Sequence, residues 1–290
     1  MLKLCLALNS GSYQHSGYNH RIVNEKKRRD ISVADVQDRV VHRLLYDYLV
    51  SVVDSHLDFD VWSCRKGKGL HACLERTASL MQRHSSGHFW RTDIIKFFDN
   101  VDHDVLKRCL ARRITDEKLL NLLDKVVDSY SLQLGASKQA SKQASKQGIP
   151  IGNLTSQLFA NIYLNELDKF VRHTIKPLAY VRYGDDFVLF VSNESDAQLA
   201  KSIATDFLRK NLCMEIHATD SISKIKNGLH FLGCYIYPNQ IKPEPAYLTK
   251  IYTTSDKNKL FAYKARSKSK KYTKQYDWLL HCQIRNEHKK

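Results

Sequence analysis

Tyr180-Val181-Arg182-Tyr183-Gly184-Asp185-Asp186-Phe187-Val188-Leu189-Phe190-Val191 is the stretch on which the reading of the fold turns. Two runs rich in β-branched and aromatic residues flank Gly184-Asp185-Asp186, so the stretch predicts a hairpin with carboxylates at its turn. An Asp-Asp pair at a turn is also ordinary turn chemistry, because Asp tolerates the backbone angles a turn needs. Upstream, His88 to Ile95 reads as another strand and carries Asp93 near its end. Downstream, the pattern predicts a helix over 195–211, a strand over Met214–His217 and a pair of strands around Phe231–Tyr237. Strand, helix, hairpin, helix, strand is the order of a split β-α-β, ferredoxin-like sheet, so the expected class is α+β. In such a sheet the first strand neighbours the central hairpin, which would bring Asp93 towards Asp185 and Asp186. Converging carboxylates repel unless cations lie between them, and hard Mg2+ prefers oxygen ligands.

Working outward, Ile31-Ser32-Val33-Ala34 reads as a short strand behind the basic run Lys26-Lys27-Arg28-Arg29. From Asp35 to about Leu57 the row Val36, Val40, Leu44, Tyr48, Val52, with Val41, Leu45 and Leu49 beside it, predicts a long amphipathic helix. A glycine-punctuated loop, Cys64-Arg65-Lys66-Gly67-Lys68-Gly69, precedes a second helix running to about Arg83. Asp102-His103-Asp104 places acidic residues in a first helical turn, where the macrodipole favours them. Further helices are expected over 115–131 and from Asn153 to about His173. Between them, Ala136 to Gln147 is three copies of Ala-Ser-Lys-Gln, a low-complexity loop expansion or a short solvated helix without chemistry of its own. The tail from about Ala246 is expected to be helical and basic.

The 290 residues carry 46 Lys and Arg against 30 acidic residues, a formal charge of +16. Such a surplus attracts polyanions, so nucleic acid or an anionic membrane is the expected partner class. No run approaches ~18 consecutive apolar residues, which excludes a membrane-spanning helix, and Met1 to Ser12 is poorly shaped for a signal peptide. The seven cysteines are scattered without a CxxC pair, which disfavours zinc ribbons and a disulfide framework and points to a reduced, cytoplasmic setting. None of the thirteen histidines falls into a recognisable metal-binding pattern.

Several segments together resemble one family. Tyr183-Gly184-Asp185-Asp186 is similar to the Y-x-D-D box of reverse transcriptases. Arg91-Thr92-Asp93-Ile94-Ile95-Lys96-Phe97-Phe98-Asp99-Asn100-Val101-Asp102-His103 resembles the first palm motif of the bacterial and group II intron lineage. Gly148-Ile149-Pro150-Ile151-Gly152-Asn153-Leu154-Thr155-Ser156-Gln157, with the helix that follows, resembles the G-x-x-x-S motif. Arg29 to Ala34 and Asp38 to His42 resemble fingers motifs, and Phe231-Leu232-Gly233 a late palm turn. The likeness runs from about residue 20 to 240 in family order. Ile151 and Gln157 stand where most bacterial members carry Gln and Pro, and this form is most similar to the enzymes of diversity-generating retroelements, which copy a template RNA with frequent errors opposite adenine. An apolar residue at 151 removes an amide that could report base-pair geometry, a contact worth about 1–3 kcal/mol of discrimination.

The resemblance implies a right-hand polymerase: helical fingers over 1–86, a ferredoxin-like palm over 87–245 and a short basic thumb over 246–290. It implies metal ligation by Asp93, Asp185 and Asp186 and by the Ile94 carbonyl, holding two Mg2+ ions for which Mn2+ could substitute. Lys27, Arg29, Phe97, Ile151 and Gly152 would meet the incoming nucleotide, with Phe97 excluding a 2′-hydroxyl. Arg65, Lys66, Lys68 and Tyr183 would meet template and primer. The bland alternatives are core packing for Phe97, a solvated charge run for Lys27 and Arg29, and an exposed loop for residues 65–68. The N-terminal extension usual in this lineage is expected to be short or missing, with no endonuclease segment after the palm. The implied partners are template RNA, primer and cDNA product, with a small basic accessory protein in the diversification setting. Two other readings stay open: a reverse transcriptase of a defence or intron lineage, and a non-catalytic RNA-binding scaffold, against which Asp93, Asp185 and Asp186 argue.

Overall fold

The structure is a computed structural model that describes residues 2–24, 28–137 and 146–245. Lys27, most of the Ala-Ser-Lys-Gln repeat and the expected thumb lie outside the described residues. In chain order the elements are α1 (Leu2–Asn9), β1 (Tyr18–Asn24), β2 (Arg28–Ala34), α2 (Val36–Val53), α3 (Leu70–Arg83), β3 (His88–Thr92), α4 (Phe97–Asn100) and α5 (His103–Ala111). They continue with α6 (Glu117–Ser137), α7 (Leu154–Phe170), β4 (Ala179–Tyr183), β5 (Asp186–Val191), α8 (Glu194–Leu212), β6 (Ser221–Lys224), β7 (Leu229–Phe231), β8 (Cys234–Tyr237) and β9 (Gln240–Pro243). The chain divides into two compact units, one of Met1–Phe59, Asp93–Ile175 and Ile203–Ala218, the other of Asp60–Thr92, Lys176–Ser202 and Thr219–Lys290.

The second unit holds a four-stranded antiparallel sheet in the order β4-β5-β3-β6. With β3 first and β6 last in sequence, this is the split β-α-β order expected from the sequence. β5 is buried from Phe187 to Val191, as its unbroken apolar run requires of a strand covered on both faces. On one face Phe89, Val181, Val188 and Phe190 join α3 and the β7-β8-β9 meander in a single apolar cluster. On the other, Trp90 meets Phe187 edge to face at 5.5 Å and donates its indole N–H to Asp220 at 3.0 Å.

Two expectations about this sheet need correction. Met214–His217 is not a strand: Ile216 makes only an isolated bridge to Ile94, within the first unit. The fourth strand is Ser221–Lys224, paired with His88–Arg91. It is an edge strand with no buried residue, so alternation of apolar residues could not reveal it. Likewise β3 ends at Thr92 rather than Ile95.

In the first unit β1 and β2 form an antiparallel hairpin with Tyr18 opposite Ala34 and Asn24 opposite Arg28, where the sequence suggested only one strand. α2 packs along α7. Its buried face is Val41, Leu45, Leu49 and Val53 with Asp38 and His42, whereas Val36 and Tyr48 of the other apolar row are 67% and 46% exposed. Burial contributes about 1.5–3 kcal/mol for each large aliphatic side chain, and the row chosen is the one whose polar members find partners. Tyr13 donates to Asp38 at 2.7 Å, and the His42 ring meets the Thr155 hydroxyl at 2.6 Å. α5 starts where its acidic residues predict, with the Val105 N–H donating to the Asp102 carboxylate at 2.9 Å.

Candidate active site

The acidic hairpin is a two-residue turn. Tyr183 pairs with Asp186, so Asp186 belongs to β5 and only Gly184 and Asp185 make the turn. Gly184 has φ +67° while Asp185 is not among the residues of positive φ, the pattern of a turn with glycine at its first central position. The turn is clamped from outside. The Gly184 N–H donates to the Ser63 hydroxyl at 2.9 Å, and the Gly184 carbonyl accepts from Arg182 at 2.9 Å. Arg182 is fully buried, and its backbone bonds to Asp60 and Trp62, each at 2.9 Å. Arg76 in turn grips both oxygens of Asp60, at 2.8 and 3.0 Å.

Asp186 has a partner the sequence reading did not foresee. Arg91 on β3 faces Val188 across the strand pair, and Asp186 is two residues from Val188 on the same face of β5, within diagonal reach. The guanidinium donates to both carboxylate oxygens, at 2.9 and 2.5 Å, with the two side chains 21% and 15% exposed. The only available signal was the alternation that sets Arg91 on the face that Asp186 also takes. Nearby on α3, burial pushes the Cys73 thiol up, with the carboxylates of Asp186 and Asp60 adding to the shift. Cys73 therefore stays protonated and packs as an apolar residue.

In the first unit, Asp93 follows directly on β3, and its carbonyl accepts the His217 N–H at 2.9 Å. Ile95 donates to Glu215 at 2.8 Å. These two bonds flank the Ile94–Ile216 bridge and leave the Ile94 carbonyl outside it, directed away from residues 215–217. Phe97 is buried and meets Phe98 at 5.5 Å and Tyr163 at 6.1 Å, both edge to face. Tyr163 is itself fixed by its hydroxyl donating to the Leu212 carbonyl at 2.6 Å. Phe97 thus sits in the packing environment given above as its bland alternative.

The glycine-containing loop before α7 is held against β2. The Ser32 N–H donates to the Ile151 carbonyl at 2.8 Å. Gly152 has φ +113°, and a Cβ there would lie 2.5 Å from Ile31 Cγ2. The close approach that demands glycine in the structure is to Ile31. Arg29 is exposed on β2. In the second unit, the loop cations are differently placed: Arg65 donates to the Val61 carbonyl at 3.2 Å, Lys68 lies 4.0 Å over the Trp62 ring, and Lys66 is exposed. Tyr183 packs against the apolar cluster under the sheet.

Carboxylates and a backbone carbonyl are the donors Mg2+ prefers, and Asp93 and the Ile94 carbonyl in the first unit, and Asp185 in the second, are donors of that chemistry. Among the described residues no three His, Cys, Asp or Glu side chains are gathered closely enough to hold a metal ion. An ion at Asp186 would share that carboxylate with the Arg91 guanidinium, whose positive charge opposes a second cation.

Known proteins share sequence and fold with this chain. Protein YkfC of Escherichia coli (strain K12) is 24% identical over 244 residues, covering 71% of this chain and 62% of its own length. The group II intron-encoded protein LtrA of Lactococcus lactis subsp. cremoris is 28% identical over 174 residues, 58% of this chain and 28% of LtrA. The chain thus spans less than two thirds of the length of either relative. Telomerase from Candida tropicalis, solved with a TWJ fragment of telomeric RNA, superposes with a TM-score of 0.56 at 14% identity, over 99% of this chain and 57% of that one. Telomerase from Candida albicans gives 0.55 at 12% identity, over 83% and 49%. At such identities the likeness shows a shared polymerase fold. The sequence pattern of one family matches residues 18–236, from the first residue of β1 into β8 and across the acidic hairpin, and this chain belongs to that family: reverse transcriptase (RNA-dependent DNA polymerase).

Proposed function

We propose that this chain is an RNA-directed DNA polymerase that adds deoxynucleotides to a primer 3′ end along a template RNA. The observation that carries the reading is the acidic hairpin, Tyr183-Gly184-Asp185-Asp186, beside β3 in a split β-α-β sheet within the family match. The β3–β5 register pairs Thr92 with Phe187. Asp93, Asp185 and Asp186, with the Ile94 carbonyl, are the proposed ligands of two Mg2+ ions, for which Mn2+ could substitute, Asp186 while paired to Arg91. When bound, such ions activate an attacking hydroxyl and stabilise a departing pyrophosphate. The protein's own share is positioning: short carboxylate stems on a clamped turn.

Phe97 is proposed to close under the sugar, and Lys27, Arg29, Ile151 and Gly152 to bound the nucleotide. Arg65, Lys66, Lys68 and Tyr183 are the proposed template and primer contacts. Fingers over 1–86, palm over 87–245 and thumb over 246–290 are the proposed functional division. The +16 charge suits a template–primer duplex. No helix among the described residues is long and apolar enough to cross a membrane, and the cytoplasm is the proposed site of action. Ile151 and Gln157 favour error-prone copying in a diversity-generating retroelement, with a small basic protein as accessory. The similarity to LtrA favours an intron lineage as the second reading.

The test is primer extension on RNA with dNTPs and Mg2+, beside Asp185→Ala, with all products sequenced. Extension by the wild type alone supports the polymerase. Errors concentrated at template adenines support the diversification role, and faithful products reject it. Absence of extension, with candidate RNA and accessory protein supplied, rejects the enzyme.

A further inference from the structure

Asn153 occupies the N-cap position of α7, where Asn is among the preferred residues because its side chain satisfies an unpaired helical N–H. It makes no such bond here. Both ends of its amide go instead to β2: Oδ1 accepts the Ala34 N–H at 3.1 Å, and Nδ2 donates to the Ser32 carbonyl at 2.7 Å. Those partners lie 119 and 121 residues away in sequence, and both bonds are buried. Together with the Ser32 N–H on the Ile151 carbonyl, three hydrogen bonds stitch residues 151–153 to the C-terminal half of β2. Asn153 thus acts as a strand neighbour made from a side chain. It supplies a donor and an acceptor to an edge where the chain turns away into a helix. A methyl group at 153 would leave a buried N–H and a buried carbonyl without partners.

The two segments so joined are those that flank the proposed nucleotide: Arg29 on β2, and Ile151 with Gly152 in the loop. We propose that Asn153 is a positioning residue for nucleotide selection, fixing Ile151–Gly152 against the strand that carries Arg29. The proposal rests on the polymerase reading and deepens it. Asn153 does not touch the nucleotide; it sets the spacing between groups that do. Ile31 pressed on Gly152 makes that spacing a close one, so small losses of restraint should be felt at the nucleotide before they are felt in the fold.

The experiment compares wild type, Asn153→Ala and Asn153→Asp in single-nucleotide incorporation on a primed RNA template. Primer–template affinity, the melting midpoint and amide hydrogen exchange at Ser32 and Ala34 are measured on the same proteins. Asn153→Ala is expected to raise KM for dNTP by roughly tenfold, the usual worth of a buried hydrogen bond lost. Its kcat and primer–template affinity should stay within about twofold, and exchange at Ser32 and Ala34 should quicken. Asn153→Asp keeps the acceptor for Ala34 and loses the donor to Ser32, so it should also raise KM; it serves as the readout if the alanine variant does not fold. An unchanged KM in a folded variant of an active enzyme overturns the proposal and leaves the polymerase reading standing. Equal losses in kcat, primer–template affinity and melting midpoint also overturn it, since they mark a general structural role. A wild type that incorporates nothing rejects the polymerase reading and this proposal with it, whatever the exchange shows.

Discussion

Arg91 on β3 and Asp186 at the start of β5 lie diagonally across one strand pair, and the guanidinium holds both oxygens of the carboxylate at 2.9 and 2.5 Å. A forked contact fixes the plane of the carboxylate as well as its charge. Arg91→Ala would remove the forked contact from Asp186, whose side chain is 15% exposed. The expected loss is about 2–3 kcal/mol, below the range for fully buried pairs because water reaches part of this one. Arg91→Lys restores the charge and not the fork, and should lose about 1 kcal/mol. Urea unfolding with unchanged m-values is the measurement; equal stabilities for wild type and Arg91→Ala would show that the pair contributes nothing.

The same pairing ranks the aspartates. Asp185 stands in the turn and Asp93 beyond the end of β3, and Asp186 is held by the Arg91 fork. Asp93→Asn and Asp185→Asn are each expected to lower nucleotide incorporation by at least about 100-fold, as loss of a preorganised charge at a reacting centre does. Asp186→Asn should lose less activity and more stability. An Asp186→Asn enzyme as inactive as Asp185→Asn, with an unshifted melt, would reverse the ranking.

Glycine is required for two different reasons at Gly152 and Gly184, and alanine substitution separates them. At Gly184, with φ +67° and open space around a Cβ, the cost is backbone strain alone, about 1–2 kcal/mol. At Gly152 the Cβ also meets Ile31 Cγ2 at 2.5 Å, and overpacking adds about 1–3 kcal/mol. Ile31→Ala added to Gly152→Ala should recover the steric part and leave the strain. Identical thermal stabilities for the single and double variants would refute the close contact.

How much of this was legible in the sequence depended on whether the cause was local. The hairpin, the start of α5 at Asp102 and the helix after Asn153 rest on turn chemistry, capping and periodicity within a few residues, and the structure has them. Placing Asp186 in the turn failed by one residue because Gly184 and Asp185 suffice to reverse the chain. The sequence does not say which face of α2 is buried, because two apolar rows run side by side, and contacts from Tyr13 and Thr155 single out the row of Asp38 and His42. β6 was missed because Ser221–Lys224 is an edge with little apolar content. The order of the motifs in the candidate site was legible, but the partners that fix the site were not. Arg91 reaches Asp186 through strand register, and Ser63 reaches Gly184 across 121 residues; neither leaves a signal at short range.

The buried pair His15 and His42 makes the stability of the first unit depend on pH. Their Nε2 atoms are 3.1 Å apart, His15 Nδ1 is 3.5 Å from Asp38, and His42 Nδ1 meets the Thr155 hydroxyl at 2.6 Å. Burial, helped by the neighbouring His15 and opposed by Asp38, pushes the His42 imidazole down to about 4 from 6.5. Burial lowers His15 as well, against the pull of Asp38. Between the two His42 values the unfolded chain binds a proton that the folded chain refuses, so stability rises with pH across that window. The His42 contribution is whole above about 6.5 and is lost as pH falls towards about 4, amounting to on the order of 2–3 kcal/mol. His42→Gln keeps a group able to bond Thr155 and removes the titration. The wild-type minus variant difference in unfolding free energy, followed from pH 7.5 to 4, should therefore decline steadily as pH drops. A flat difference would mean that Asp38 lets His42 keep its proton in the folded state, and that the network is a charged one.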